Sequence, residues 1–149
     1  MKMLLAWVVA LCSFLVFSTA YAFDFNQYKQ GDIDTILQMP RPKAGVDIYG
    51  PQKLRFRVTL AGYGQPCETG FLKKTMKMVG VPADVVENLP ISQCITVKTS
   101  KRVPVSLFIQ DQVAEYLPKE VKIGQQVDLF CDFLFVGTTS VGILVNEFQ

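Results

Sequence analysis

The sequence has no histidine in 149 residues. This excludes Ser-His and Cys-His nucleophile pairs, and histidine-bound zinc or copper with them. C-x-x-C spacing is missing too, which argues against a zinc knot or a thioredoxin-type redox motif among the widely spaced cysteines. No G-x-G-x-x-G, phosphate-binding loop or calcium loop of alternating acids occurs. Neither charge sign dominates: 15 Lys and Arg face 13 Asp and Glu, too balanced to attract nucleic acid or anionic lipid at long range. Internal repeats and low-complexity segments are absent. Beyond residue 22 no apolar run approaches the length of a membrane span. No cofactor and no metal site is expected.

What is present begins at the N-terminus. Lys2 supplies a positive start, Met3 to Phe17 a nearly continuous apolar run, and Ala20 and Ala22 the small residues of an A-x-A cleavage site. Residues 1–22 therefore read as a signal peptide, with the mature chain starting at Phe23. An uncleaved anchor is the alternative, but no charged stop-transfer flank follows the run. A lipoprotein would use Cys12, where Leu11 occupies a position that needs a small residue. Export places the protein in the periplasm or outside the cell, an oxidising compartment. Its 127 mature residues, 14 of them basic and 13 acidic, suffice for one core.

Residues 23–52 form an N-terminal arm. Asp32 or Asp34 can cap a short helical turn through Leu37, and Val46-Asp47-Ile48-Tyr49 a short strand closed by Gly50-Pro51. Phe23, Phe25 and Tyr28 either pack this arm onto the domain or belong to a free terminus. The domain proper spans residues 53–149. Lys53 to Leu60 alternates polar with apolar, which places Leu54, Phe56, Val58 and Leu60 inward; the glycines of residues 61–67 then read as a turn. Phe71, Leu72, Thr75, Met76 and Val79 recur at helical spacing behind Thr69 as N-cap. A second short helix follows Pro82, with Val85, Val86 and Leu89 inward.

Four more strands are expected: residues 94–99, 103–109, 126–136 and 141–145. Their apolar faces carry Ile95 and Val97; Val105 and Leu107; Val127, Leu129, Cys131, Phe133 and Phe135; then Ile143. A short helix capped by Asp111 and stopped by Pro118 separates the third strand from the fourth. The fold class is mainly β (α+β). The element order resembles the OB-fold, a five-stranded antiparallel barrel, with a helical insert (residues 68–93) between strands 1 and 2 and a short helix between strands 3 and 4. That insert departs from the usual OB pattern and leaves another α+β arrangement open. The resemblance implies a binding module and names no ligand.

Asp128 and Asp132 are the nearest approach to a catalytic carboxylate pair, but they share a strand face with Phe130 between them. In an OB-like barrel Arg55 and Arg57 face them across the neighbouring strand, which favours surface ion pairing. Lys73, Lys74 and Lys77 form the polar face of the insert helix, either solvated or open to a phosphate or an acidic partner. Lys98, Lys101 and Arg102 sit at a hairpin tip, and no aromatics interleave with these groups as base stacking requires. Nucleic acid is therefore not the expected partner. Cys131 lies in an apolar stripe and reads as a buried thiol, whereas Cys94 faces the polar side and Cys67 opens the insert. A Cys67–Cys94 disulfide would staple the insert; the alternative keeps all three cysteines reduced.

The expected function is a non-catalytic binding or accessory domain with a protein or small-ligand partner and no membrane span after cleavage. The alternatives are a histidine-free enzyme built on carboxylates or serine, and a secreted inhibitor or toxin-like protein. Partner contacts are expected at Phe130, Lys73, Lys74, Lys77 and Arg55. Phe130 serves only if it is not covered by the insert helix or the arm.

Overall fold

The computed structural model describes residues 22–149. The expected signal peptide, Ala22 excepted, lies outside the described residues. After a 3-10 turn at Phe25–Gln27 come β1 (Lys29–Gln30), α1 (Ile33–Leu37), β2 (Val46–Pro66), α2 (Gly70–Met78) and α3 (Ala83–Glu87). These are followed by β3 (Gln93–Lys98), β4 (Pro104–Ile109), α4 (Asp111–Glu120), β5 (Gln126–Gly137) and β6 (Val141–Phe148).

The protein is mainly β: one six-stranded sheet in the order β1-β2-β3-β4-β6-β5, with helices packed on it. Strand β2 also pairs with β5, so hydrogen bonding runs round five strands and returns to β2. Those pairings are antiparallel except β4 with β6, and β1 adds in parallel at Leu54 and Arg55. Strand β2 serves two partners because it is 21 residues long: Val46 to Thr59 pairs with β5, and Thr59 to Pro66 with β3. Residues expected to end it at 61–67 remain strand as far as Pro66, with register shifts on both sides of Gly62. Glycine there marks a bend and a close approach: a Cβ on Gly64 would run into the Gln93 side chain. Val46 to Tyr49 likewise belongs to β2, continued past a register shift between Ile48 and Gln52.

The inward residues Phe56, Val58, Leu60, Ile95, Val97, Val105, Leu107, Val127, Leu129, Cys131, Phe133 and Ile143 form one buried cluster, with half-buried Leu54 packed against it. Two helices extend this core from opposite ends. Helix α4, between β4 and β5, contributes Val113, Ala114 and Leu117. At the other end α1 contributes Ile33 and Ile36, anchored by Asp34, whose carboxylate accepts from the Ser100 hydroxyl (2.7 Å) and the Lys101 N–H (3.2 Å) in the β3–β4 turn. Beyond α1, the Arg41 guanidinium donates to the Ser140 carbonyl (2.9 Å) in the β5–β6 turn.

Phe135 departs from the expected inward face. A register shift between Phe133 and Phe135 turns it outward, into a second cluster with Leu134, Leu144, Leu72, Met76, Val86 and Ile91. The insert is thus held by its own small core. Phe71 and Val85, also expected inward, are exposed instead, since Leu72, Met76 and Val86 fill that space. Thr69 makes no cap bond; the Gly70 N–H donates to the Glu68 carboxylate at 2.6 Å. Pro118 does not stop α4, which continues to Glu120. Gln110 is the N-cap, and Asp111 accepts from the Ser92 N–H (2.9 Å) and hydroxyl (2.8 Å), tying the insert's end to α4.

Candidate functional site

The outer face of β5 carries Asp128, Phe130 and Asp132. Register sets Arg57 opposite Asp128, and the guanidinium donates to both carboxylate oxygens at 2.7 and 2.9 Å. Those bonds hold the Asp128 carboxyl below its ordinary range. Of the two arginines expected to face the aspartates, Arg55 forms an ion pair with neither. Arg55 stands opposite Phe130 and donates to Gln30 Oε1 at 3.1 and 3.0 Å, tying β1 to β2. Lys53 stands opposite Asp132, but its ammonium lies over the Tyr28 ring, 5.3 Å from the centroid. The two aspartates therefore sit in unlike surroundings, one clamped by arginine and one not.

Phe130 is closed to a partner while the arm is in place. It is 2% exposed, beneath the rings of Phe23, Phe25 and Tyr28 at centroid distances of 5.9, 4.7 and 5.5 Å. Of the two readings of these aromatics, the packed arm is the one observed. Tyr28 is further fixed by the Asn146 amide, which donates to its hydroxyl at 3.4 Å from β6. Burial pushes the Tyr28 phenol above its ordinary value, and the charge of Asp132 adds to this.

The lysines of α2 divide by role. Lys77 is paired with Glu87 of α3, which lowers the Glu87 carboxyl and bolts the two insert helices together. Lys73 is half-buried and Lys74 is exposed. Next to them stand two exposed apolar side chains: Phe71, which helical period places inward, and Met78, which it does not single out. Phe71 is 45% and Met78 61% exposed, seven residues apart and hence on one side of α2. The Phe71 ring meets Phe135 edge-on at 5.1 Å, and exposed Ile48 is the cross-strand partner of Phe135. Phe71 falls at the margin of the buried arc of α2, and only the second core decides on which side of that margin it lies.

Comparison with known proteins gives no matching family model, no matching curated protein and no matching solved structure.

Cys67 and Cys94 form a disulfide with Cα atoms 5.7 Å apart, joining the end of β2 to β3 across the base of the insert. Cys131 is a buried free thiol, pushed well above its ordinary pKa by burial and then by neighbouring Asp132. The surface carries several open grooves. One of about 560 Å³ runs between Gln27, Lys29 and the Pro51–Leu54 stretch of β2; another of about 340 Å³ lies between Tyr116 and Asn146. Among the described residues no group of three or more Cys, Asp and Glu is placed to hold a metal.

Proposed function

We propose that the chain is an exported, non-catalytic binding domain built as an OB-like barrel, and that its helical insert presents the partner-binding face. The strand circuit β2-β3-β4-β6-β5, with α4 between its third and fourth strands in sequence, supports the OB-like reading. Export is supported by the sequence of residues 1–22, and the Cys67–Cys94 disulfide is compatible with an oxidising compartment. Among the described residues no helix is long and apolar enough to cross a membrane.

The observation that carries the binding reading is the row of exposed apolar side chains, Ile48, Phe71 and Met78, beside Lys74. Such a row with a cationic rim suits a partner surface that is apolar with acidic groups. The test uses mature protein as bait for periplasmic extract, compared with a Phe71→Ser, Met78→Ser variant whose fold is checked by circular dichroism. Loss of a specific partner by the folded variant supports the insert as the binding face. Capture of the same partner by both removes the insert from that role.

A further inference from the structure

One polar atom on the outer face of β5 is left over. Asp132 Oδ1 is buried and has no hydrogen-bond partner among the described residues. Asp132 as a whole is half-buried, but a buried carboxylate oxygen without a partner is destabilising until a hydrogen-bond donor or a positive charge reaches it. Lys53, its cross-strand neighbour, lies instead over Tyr28 and forms no ion pair with Asp132. Arg55 is taken by Gln30, and Glu147, opposite Phe130 on β6, has the wrong sign.

Phe23 packs on the same outer face of β5. Its ring is 5.9 Å from that of Phe130, which precedes Asp132 by two residues on the same strand face. The ring also stacks on Tyr28 at 5.2 Å, and Tyr28 is close enough to feel the Asp132 charge. In the export reading above, on which this inference rests, Phe23 becomes N-terminal. Hydrolysis of the Ala22–Phe23 bond transfers the oxygen of one water to the Ala22 carbonyl carbon and both its hydrogens to the Phe23 nitrogen. An uncharged amide thereby becomes a carboxylate on the leaving segment and an ammonium on the mature chain.

We propose that the α-ammonium of Phe23, created by signal cleavage, is the partner of Asp132 and locks the aromatic arm onto Phe130. Before cleavage the arm is held by its rings, the Asn146–Tyr28 hydrogen bond and the β1–β2 pairing; afterwards an ion pair on the same face holds Phe23 as well. Processing thus finishes the outer face of β5 only once the chain has been exported.

The test uses chains whose start is set in vitro, by a protease that leaves Phe23 first, with and without a Gly-Ser extension. Each is made with Asp132 and with Asp132→Asn. By NMR titration, the Phe23 α-amine should titrate about one unit or more above its ordinary value of about 8. It should return to that value in Asp132→Asn. Because the folded value is raised, the stabilisation is full below about pH 8 and is lost as pH rises through the raised value. The Gly-Ser extension should lower Tm by several degrees with Asp132 present and not with Asn. An α-amine at its ordinary value in the Asp132 chain overturns the pairing, as do extension and Asp132→Asn effects that simply add. Loss of the extension effect in Lys53→Met, with the α-amine unshifted, would assign Lys53 as the partner and overturn it too. Should Asp132→Asn fail to fold, the α-amine titration of the unaltered chain decides alone. The exported protein's intact mass is a separate readout: a start other than Phe23 overturns the processing step, whatever the in vitro chains show about the pairing.

Discussion

Gly142 lies beneath the ring of Phe135: the two are register partners between β6 and β5, and a Cβ on residue 142 would overlap the ring. The arrangement follows from the register shift after Phe133, which tips Phe135 outward and across the β6 backbone into the insert's core. Gly142→Ala should therefore destabilise the protein by about 1–3 kcal/mol, the usual cost of overpacking. Phe135→Leu in the Gly142→Ala background should recover part of the loss. Denaturant unfolding of the three variants checks this, and an unchanged midpoint for Gly142→Ala would place the ring elsewhere.

This pair also shows where sequence reading runs out. Alternation identified five of the strands and most of the inner face, because a half-buried strand allows large apolar residues at every second position only. Alternation counts residues, however, and a bulge adds one; Phe135 therefore counts as inward and sits outward. The same limit applies to residues 61–66, where Gly62 and Gly64 signal a bend in a strand as readily as its end. Pairing of Cys67 with Cys94 was legible because one faces the polar side of its strand and the other opens the insert. The fate of Phe130 was not, since it depends on an arm more than 100 positions away in sequence. The exposed edge of Phe71 and Met78 was hidden for a related reason: helical period gives the centre of a buried arc and not its margins.

Asp34 should govern acid stability. It is 3% exposed, in α1, and faces the β3–β4 turn. Burial acts to raise its pKa, but hydrogen bonds from Thr99, Ser100 and the Lys101 N–H outweigh this and leave it below the ordinary value. A lowered folded pKa means the stabilisation is present above the unfolded value of about 3.9 and is lost as pH falls through the folded one. Asp34→Ala should cost about 1–3 kcal/mol at neutral pH by removing charged hydrogen bonds. Unfolding free energy measured between pH 2 and 7 should fall less steeply on the acid side in this variant than in the unaltered protein. An identical slope would show that the carboxylate is not held as described.

The disulfide and the buried thiol should separate cleanly. Cys67–Cys94 spans 27 residues, and opening a loop of that size costs about 3–4 kcal/mol in the chain-entropy model. Reduction, or Cys67→Ala with Cys94→Ala, should lower stability by that order while the five-strand circuit keeps its strand content by circular dichroism. Cys131, enclosed in the core, should resist a thiol reagent in the native protein and react once on unfolding. A native-state rate equal to that in denaturant would place Cys131 at the surface.

Phe130 and Phe133 occupy opposite faces of β5, yet each should behave as a core residue. Phe133 is buried in the inner cluster and carries Tyr49 stacked on it at 5.4 Å; Phe130 is buried outside the sheet under three arm aromatics. Alanine at either position should cost about 3–5 kcal/mol, enough to unfold a marginal domain. The two differ in what they are coupled to. Removing residues 23–28 takes away the rings that cover Phe130 and leaves Phe133 untouched. In a double-mutant cycle, arm removal and Phe130→Ala should therefore cost clearly less together than the sum of the two. Each edge-on aromatic pair contributes about 0.5–1.5 kcal/mol beyond its buried area, and arm removal deletes three such pairs at once. Arm removal and Phe133→Ala, by contrast, should add. Urea unfolding of the five proteins plus the unaltered chain measures both cycles. Additivity in the Phe130 cycle would mean that the arm aromatics do not rest on Phe130 in solution, and the outer face of β5 would then be open to a partner.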